Sequence, residues 1–72
     1  MEMIQVDSSN IALIGWQDNV LYVRYKSGRL YAYHNVLRKT FEELRDAPSK
    51  GQYMNAYIKP NYPYRCIQDD NI

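Results

Sequence analysis

Val20-Leu-Tyr-Val-Arg-Tyr-Lys26 and Arg29-Leu-Tyr-Ala-Tyr33 are two alternating runs separated by Ser27-Gly28. The period of two predicts a β-hairpin, and a two-residue Ser-Gly turn would set its register. In that register Lys26 faces Arg29, Arg24 faces Tyr31 and Tyr22 faces Tyr33. The opposite face carries Leu21, Val23, Tyr25, Leu30 and Ala32. One face is apolar and the other interleaves tyrosine with arginine and lysine.

Upstream, Ile11 to Gln17 reads as a further strand, joined to Val20 by a tight Asp18-Asn19 turn. A two-residue register there sets Trp16 opposite Leu21, Ile14 opposite Val23 and Ala12 opposite Tyr25. All fall on the apolar face, so the two hairpins agree on which side is the core. Ile11 and Leu13 then share the tyrosine/basic face. Met1 to Val6 forms a candidate N-terminal edge strand, and Asp7-Ser8-Ser9-Asn10 is a turn cluster.

After His34 the period changes. Thr40-Phe-Glu-Glu has the pattern of a capping box, with Phe41 and Leu44 one turn apart on a common face, and Pro48 ends the segment. Ser49-x-x-Gln52 is a second box, opening a helix with Tyr53, Met54, Tyr57 and Ile58 before Pro60. Asn61-Tyr-Pro-Tyr-Arg-Cys-Ile67 is too rich in proline and aromatics for a helix and reads as an extended strap over the core. The expected fold is α+β: a three-stranded antiparallel meander, an additional N-terminal edge strand, two short C-terminal helices and the strap. Residues 1–72 make a single domain, with its core over about 6–67 and a frayed tail over 68–72.

Seventy-two residues bury only roughly 60% of the surface the unfolded chain exposes, so the core is small. With 46% hydrophobic and 24% charged residues the composition is that of a globular protein. Eight tyrosines against one phenylalanine allow many rings to carry a hydroxyl to water or to a partner. Nine basic and eight acidic residues leave a net charge of +1, which argues against nucleic-acid binding through bulk charge alone. Local patterning remains: Glu42, Glu43, Asp46, Asp69 and Asp70 lie apart from Arg24, Lys26 and Arg29. The single cysteine, Cys66, supplies no internal disulfide. The chain shows no signal-peptide pattern and no apolar run long enough to span a membrane, so a cytoplasmic protein is expected.

Taken in order, several features resemble the KTSC domain family, named after a segment at the C-terminus of some lysyl-tRNA synthetases and found also as small stand-alone bacterial and phage proteins. They are Ser8-Ser9-Asn10-Ile11, Ile14-Gly15, Leu21-x-Val23-x-Tyr25, Gly28, Tyr31-Ala32-Tyr33 and Val36, then Phe41, Leu44, Ala47, Ser49, Gly51, Tyr53, Asn55 and Ile58. The resemblance runs over roughly Val6 to Ile67. The family often has proline where this chain has Leu37. The resemblance implies the fold more than a chemistry; the partner it suggests is RNA, through the association with a tRNA-handling enzyme.

The tyrosine/basic face supplies the candidate binding residues. Tyr22, Tyr31 and Tyr33 would stack on bases, and Arg24, Lys26 and Arg29 would meet phosphates. The competing reading makes Tyr31 and Tyr33 core rings under the helices. His34 has no second histidine at ligand spacing and Cys66 is its only soft partner, which is too little for a zinc site. Cys66 reads as a small buried hydrophobe rather than an activated thiol. No nucleophilic triad, paired catalytic carboxylates or glycine-rich phosphate loop can be assembled, so no enzyme activity, cofactor or metal is expected. Between Lys59 and Arg65, Tyr62 and Tyr64 either line a groove or strap the core. The expected function is a non-catalytic RNA-binding module. Its rivals are a protein–protein or homodimer module and a nucleotide-sequestering protein.

Overall fold

The computed structural model describes residues 1–68. Strand β2 (Ile11–Gln17) turns into β3 (Val20–Tyr25) through Asp18 and Asn19, both left-handed at φ 54° and 65°. That is the primed two-residue turn whose twist matches antiparallel strands, and Asp and Asn tolerate it better than other non-glycine residues. Trp16 pairs with Leu21 and Ile14 with Val23, as the sequence predicts. The register then slips by one at a bulge between Ile11 and Leu13, so Ile11, not Ala12, faces Tyr25. The bulge turns Ile11 into the core, where it is buried, and leaves Leu13 on the opposite face.

The second hairpin differs from the sequence expectation. Strand β4 (Leu30–His34) pairs Leu21 with Tyr33, Tyr22 with Ala32, Val23 with Tyr31 and Arg24 with Leu30. The Gly28 amide donates to the Tyr25 carbonyl at 2.9 Å, and the Tyr25 amide donates to the Arg29 carbonyl at 2.9 Å. The loop is therefore Lys26-Ser27-Gly28, a three-residue turn closed by Gly28 at φ 102°. One extra loop residue rotates β4 by one position. Tyr31 and Tyr33 join Leu21 and Val23, while Leu30 and Ala32 join Tyr22 and Arg24.

Strand β1 (Met3–Gln5) pairs with β2, confirming the N-terminal edge strand. The strap is more than a cover: Tyr64–Gln68 forms β5, antiparallel to β4, with Tyr64 opposite Tyr33 and Arg65 opposite Ala32. The architecture is thus α+β with a five-stranded antiparallel sheet in the order β1-β2-β3-β4-β5, and the helical segment lies between β4 and β5 rather than at the C-terminus. Gln68, assigned above to a frayed tail, closes β5; the rest of that tail, residues 69–72, lies outside the described residues.

Helix α1 (Arg38–Asp46) begins earlier than the Thr40 box implies. Leu37 is its N-cap and gives no side-chain cap, so Thr40 sits inside the first turn. Phe41 and Leu44 are buried as their spacing requires. Helix α2 (Lys50–Tyr53) does use its cap: the Gln52 amide donates to Ser49 Oγ at 3.3 Å. It continues over Met54–Ile58 as a wider turn in which the Lys59 amide donates to the Met54 carbonyl, five residues back, at 2.8 Å. Met54 and Ile58 enter the core and Lys59 lies at the turn's exit.

The core cluster joins Ile11, Ile14, Leu21, Val23 and Tyr33 of the sheet to Val36, Phe41, Leu44, Met54 and Ile58. Each fully buried aliphatic side chain contributes about 1.5–3 kcal/mol. The helices therefore pack on the sheet face that carries Tyr33, and the opposite face is left without a helical layer. Trp16 fastens the chain after β4, donating from Nε1 to the Val36 carbonyl at 2.7 Å.

Candidate functional site

Two aromatic surfaces result, one on each side of the sheet. On the face without helices, pairing sets Met3, Gly15, Tyr22, Ala32 and Arg65 in one row across the five strands. Large and small residues alternate along it. A Cβ at Gly15 would stand 2.5 Å from Met3 Sδ and 2.9 Å from the Glu2 carbonyl, so only glycine fits beneath Met3. Tyr22 is half-buried between Gly15 and Ala32, and Arg65 is exposed at the row's far end. In the next row Arg24 lies between Leu13 and Leu30, and its Nη1 donates to the Gly28 carbonyl at 2.8 Å.

On the helix side, where the helical layer stops short, Tyr25, Tyr31, Tyr33 and Tyr64 come together with Lys59 around a hollow of about 220 Å³. Tyr31 stacks near Tyr64 with ring centroids 5.7 Å apart, Tyr33 lies 5.5 Å from Tyr64, and Tyr25 meets Tyr31 edge to face at 5.5 Å. Lys59 Nζ stands 5.7 Å from the Tyr25 ring centre. Tyr33 is only 1% exposed, and its hydroxyl shares a 2.8 Å hydrogen bond with that of Tyr25. Burial raises the pKa of both phenols; at Tyr33 the bond to Tyr25 adds to the rise, while at Tyr25 it partly offsets it. Tyr64, by contrast, is 56% exposed.

The six residues singled out from the sequence do not share a face. Tyr22 and Arg24 lie on the open side, Tyr31 and Tyr33 on the helix side, and Lys26 and Arg29 are exposed around the hairpin tip. The structure adds Arg65 to the first group and Tyr25, Lys59 and Tyr64 to the second. Tyr25 reads from the sequence as a member of the apolar face; for Lys59, Tyr64 and Arg65 the signal is the Lys59-to-Arg65 segment, whose alternating Tyr64 and Arg65 become legible only once it is known to pair with β4. Cys66 is exposed, contrary to the buried role expected of it, because β5 is an edge strand. Among the described residues no three His, Cys, Asp or Glu side chains gather into a metal-binding group, and no helix is long and apolar enough to cross a membrane. Another hollow, about 480 Å³ beside β1, is lined by Gln5, Val6, Asp7, Ala12 and Lys26 and has no aromatic wall among these residues.

The family model of the KTSC domain matches residues 7–62. The chain belongs to the KTSC domain family. The KTSC domain protein of Yersinia pestis superposes on it with a TM-score of 0.87 at 29% identity, covering 93% of this chain and 97% of that one. A protein of Tsukamurella paurometabola is 32% identical over 62 residues, covering 83% of this chain and 92% of its own length. A lysine–tRNA ligase of Nostoc sp. is 43% identical over 47 residues, which cover 65% of this chain; the chain spans only 8% of that ligase's length. The matched KTSC segment includes Tyr22, Arg24, Tyr25, Tyr31, Tyr33 and Lys59 and stops before β5, so Tyr64 and Arg65 lie beyond it.

Proposed function

We propose that this KTSC domain is a non-catalytic cytoplasmic module that binds single-stranded RNA on the open face of its sheet. The observation that carries the reading is that the helical layer packs on the other face, leaving Tyr22 and Arg24 of β3 and Arg65 of β5, with Ala32 of β4 between, on a face with no helix above them. A ring on a sheet face stacks on any base, contributing about 1–3 kcal/mol per base, and guanidinium groups on the same face meet the phosphates on either side. The bulk charge of +1 suits a short contact better than a long electrostatic track. The similarity to lysine–tRNA ligases lends support to an RNA partner.

Fluorescence anisotropy with a labelled single-stranded RNA across a salt series tests it. Tyr22→Ala should weaken binding about 5- to 100-fold. Arg65→Ala should flatten the salt dependence by about 0.7 in the log–log slope, the release expected for one single-strand phosphate contact. Arg65 is the cleaner probe, since Arg24 also braces the hairpin loop through Gly28. Affinity unchanged in both variants sinks the reading.

One observation favours a second reading. Strand β5 is an edge whose Tyr64 and Ile67 are exposed, and such an edge can extend a sheet across two copies. Sedimentation equilibrium decides: a concentration-dependent dimer abolished by Ile67→Lys supports it, and a monomer throughout removes it.

A further inference from the structure

Tyr25, Tyr31, Tyr33 and Tyr64 surround the hollow with π-faces and hydroxyls, and Lys59 adds one ammonium. A cluster serving only as core would gain nothing from hydroxyls on all four rings. Here the buried Tyr33 hydroxyl is satisfied by Tyr25, while the Tyr31 and Tyr64 hydroxyls make no hydrogen bond to other described residues. The positioning of Lys59 is a second, separate observation. The widened turn over Met54–Ile58 inserts one residue beyond a regular helical turn, a geometry rare in proteins and frequent at functional sites. Its closing bond is donated by the Lys59 amide, so the turn fixes the backbone from which this side chain reaches the tyrosines. Pro60 follows and cannot continue the helix.

We propose that this hollow is a binding site for a nucleoside monophosphate, separate from the open sheet face. The base lies on the exposed ring of Tyr64, and the phosphate meets Lys59 Nζ and the outward hydroxyls. The ring spacings of 5.5–6.3 Å belong to tyrosines already packed on one another, so the base stacks on the edge of the cluster and does not slip between its rings. A hollow of about 220 Å³ is below the about 300–1,000 Å³ of sites for drug-sized ligands, and holds one ring with its phosphate at the mouth, not a strand. Lysine acts on phosphate as a point charge, which one monodentate contact of this kind requires.

The test is calorimetric titration of the whole chain with AMP and GMP, with adenosine and inorganic phosphate as further probes. Both nucleotides should bind one per chain, AMP at least tenfold tighter than adenosine or phosphate alone. Lys59→Gln should reduce AMP affinity about tenfold and leave adenosine unaffected; Tyr64→Ala should reduce it about 5- to 100-fold. Lys59 is exposed, so Lys59→Gln should keep the parent circular dichroism spectrum and melting temperature; Tyr64→Ala, which loses ring contacts to Tyr31 and Tyr33, should keep the spectrum and melt somewhat lower. Arg65→Ala, on the other face, should leave AMP binding unchanged. No saturable binding to the folded chain at millimolar AMP overturns the site, as does binding that survives both hollow variants or is lost with Arg65→Ala.

Discussion

The two hairpins share strand β3 and differ in the length of their turns. Asp18-Asn19 closes β2–β3 with two left-handed residues, and the strands pair at the turn as alternation demands. Lys26-Ser27-Gly28 closes β3–β4 with three, and every side chain of β4 faces the side opposite to the one a two-residue turn would give. In the first hairpin pattern and turn agree, because Ile14, Trp16, Leu21 and Val23 make one face unmistakably apolar. In the second, tyrosine occurs on both faces, and a ring with a polar tip suits core or rim equally. There the turn alone sets the register.

The strongest way to break this comparison is to remove the ring that the three-residue turn places inside. Tyr33→Ala deletes an aromatic side chain that is 1% exposed, and should destabilise the domain by about 3–5 kcal/mol in urea denaturation. A chain this size has roughly 4–11 kcal/mol of stability in all, so the loss takes from about a quarter to the whole of it. Tyr22→Ala, the half-buried ring of the open face, should lose about 1 kcal/mol or less. Equal losses would mean the two faces are not distinguished as the register requires.

The same asymmetry should appear at alkaline pH. Tyr33 and Tyr25 have pKa values raised by burial, and Tyr53, partly buried and donating to Glu43 at 3.0 Å, is pushed up to about 12. Each phenol keeps its proton in the folded state to a higher pH than in the unfolded one. Their contribution is therefore fully present below about pH 10, the unfolded value, and is lost as pH rises from there toward the folded values. The melting temperature should hold between pH 7 and 9 and fall above 10. Tyr53→Phe should make the decline between pH 10 and 12 shallower, and an unaltered decline would place the effect elsewhere.

What the sequence made legible follows the same division. The edge strand, the first hairpin, the Phe41/Leu44 face and the Ser49 cap each rest on a local signal with one reading. The start of α1 has none, since Leu37 caps it without a side-chain bond. The bulge at Ile11–Leu13 leaves alternation intact on either side and shows only as Ile11 claiming the core. Strand β5 depends on non-local pairing with β4 after the whole helical segment, so its proline-flanked sequence suggests extended chain but no partner. The candidate site inherits these ambiguities. Its residue types are apparent in the sequence, but the flip of β4 and the pairing of β5 decide which of them meet.

Gly28→Val addresses the second turn directly. At φ 102° a β-branched residue is strained, and the loss should be about 1–3 kcal/mol, with the midpoint of urea unfolding falling accordingly. A fold that absorbs valine with no loss does not depend on glycine to hold its three-residue loop.

A reciprocal exchange between the turns gives the finest discrimination. Asn19→Gly relieves a left-handed residue at φ 65° but adds freedom to the unfolded chain. Asparagine already tolerates that region, so the two effects nearly cancel and the net change should stay within about 0.5 kcal/mol. Gly28→Asn is not its mirror image. At φ 102° the backbone lies well beyond the left-handed basin near +57° that asparagine visits, and the same residue type should there lose about 1 kcal/mol. Both variants can be read from urea midpoints on one preparation, and the difference between them matters more than either value. If Gly28→Asn is as silent as Asn19→Gly, the two turns are interchangeable in their backbone demands. The register of β4 would then be held by the burial of Tyr33 alone.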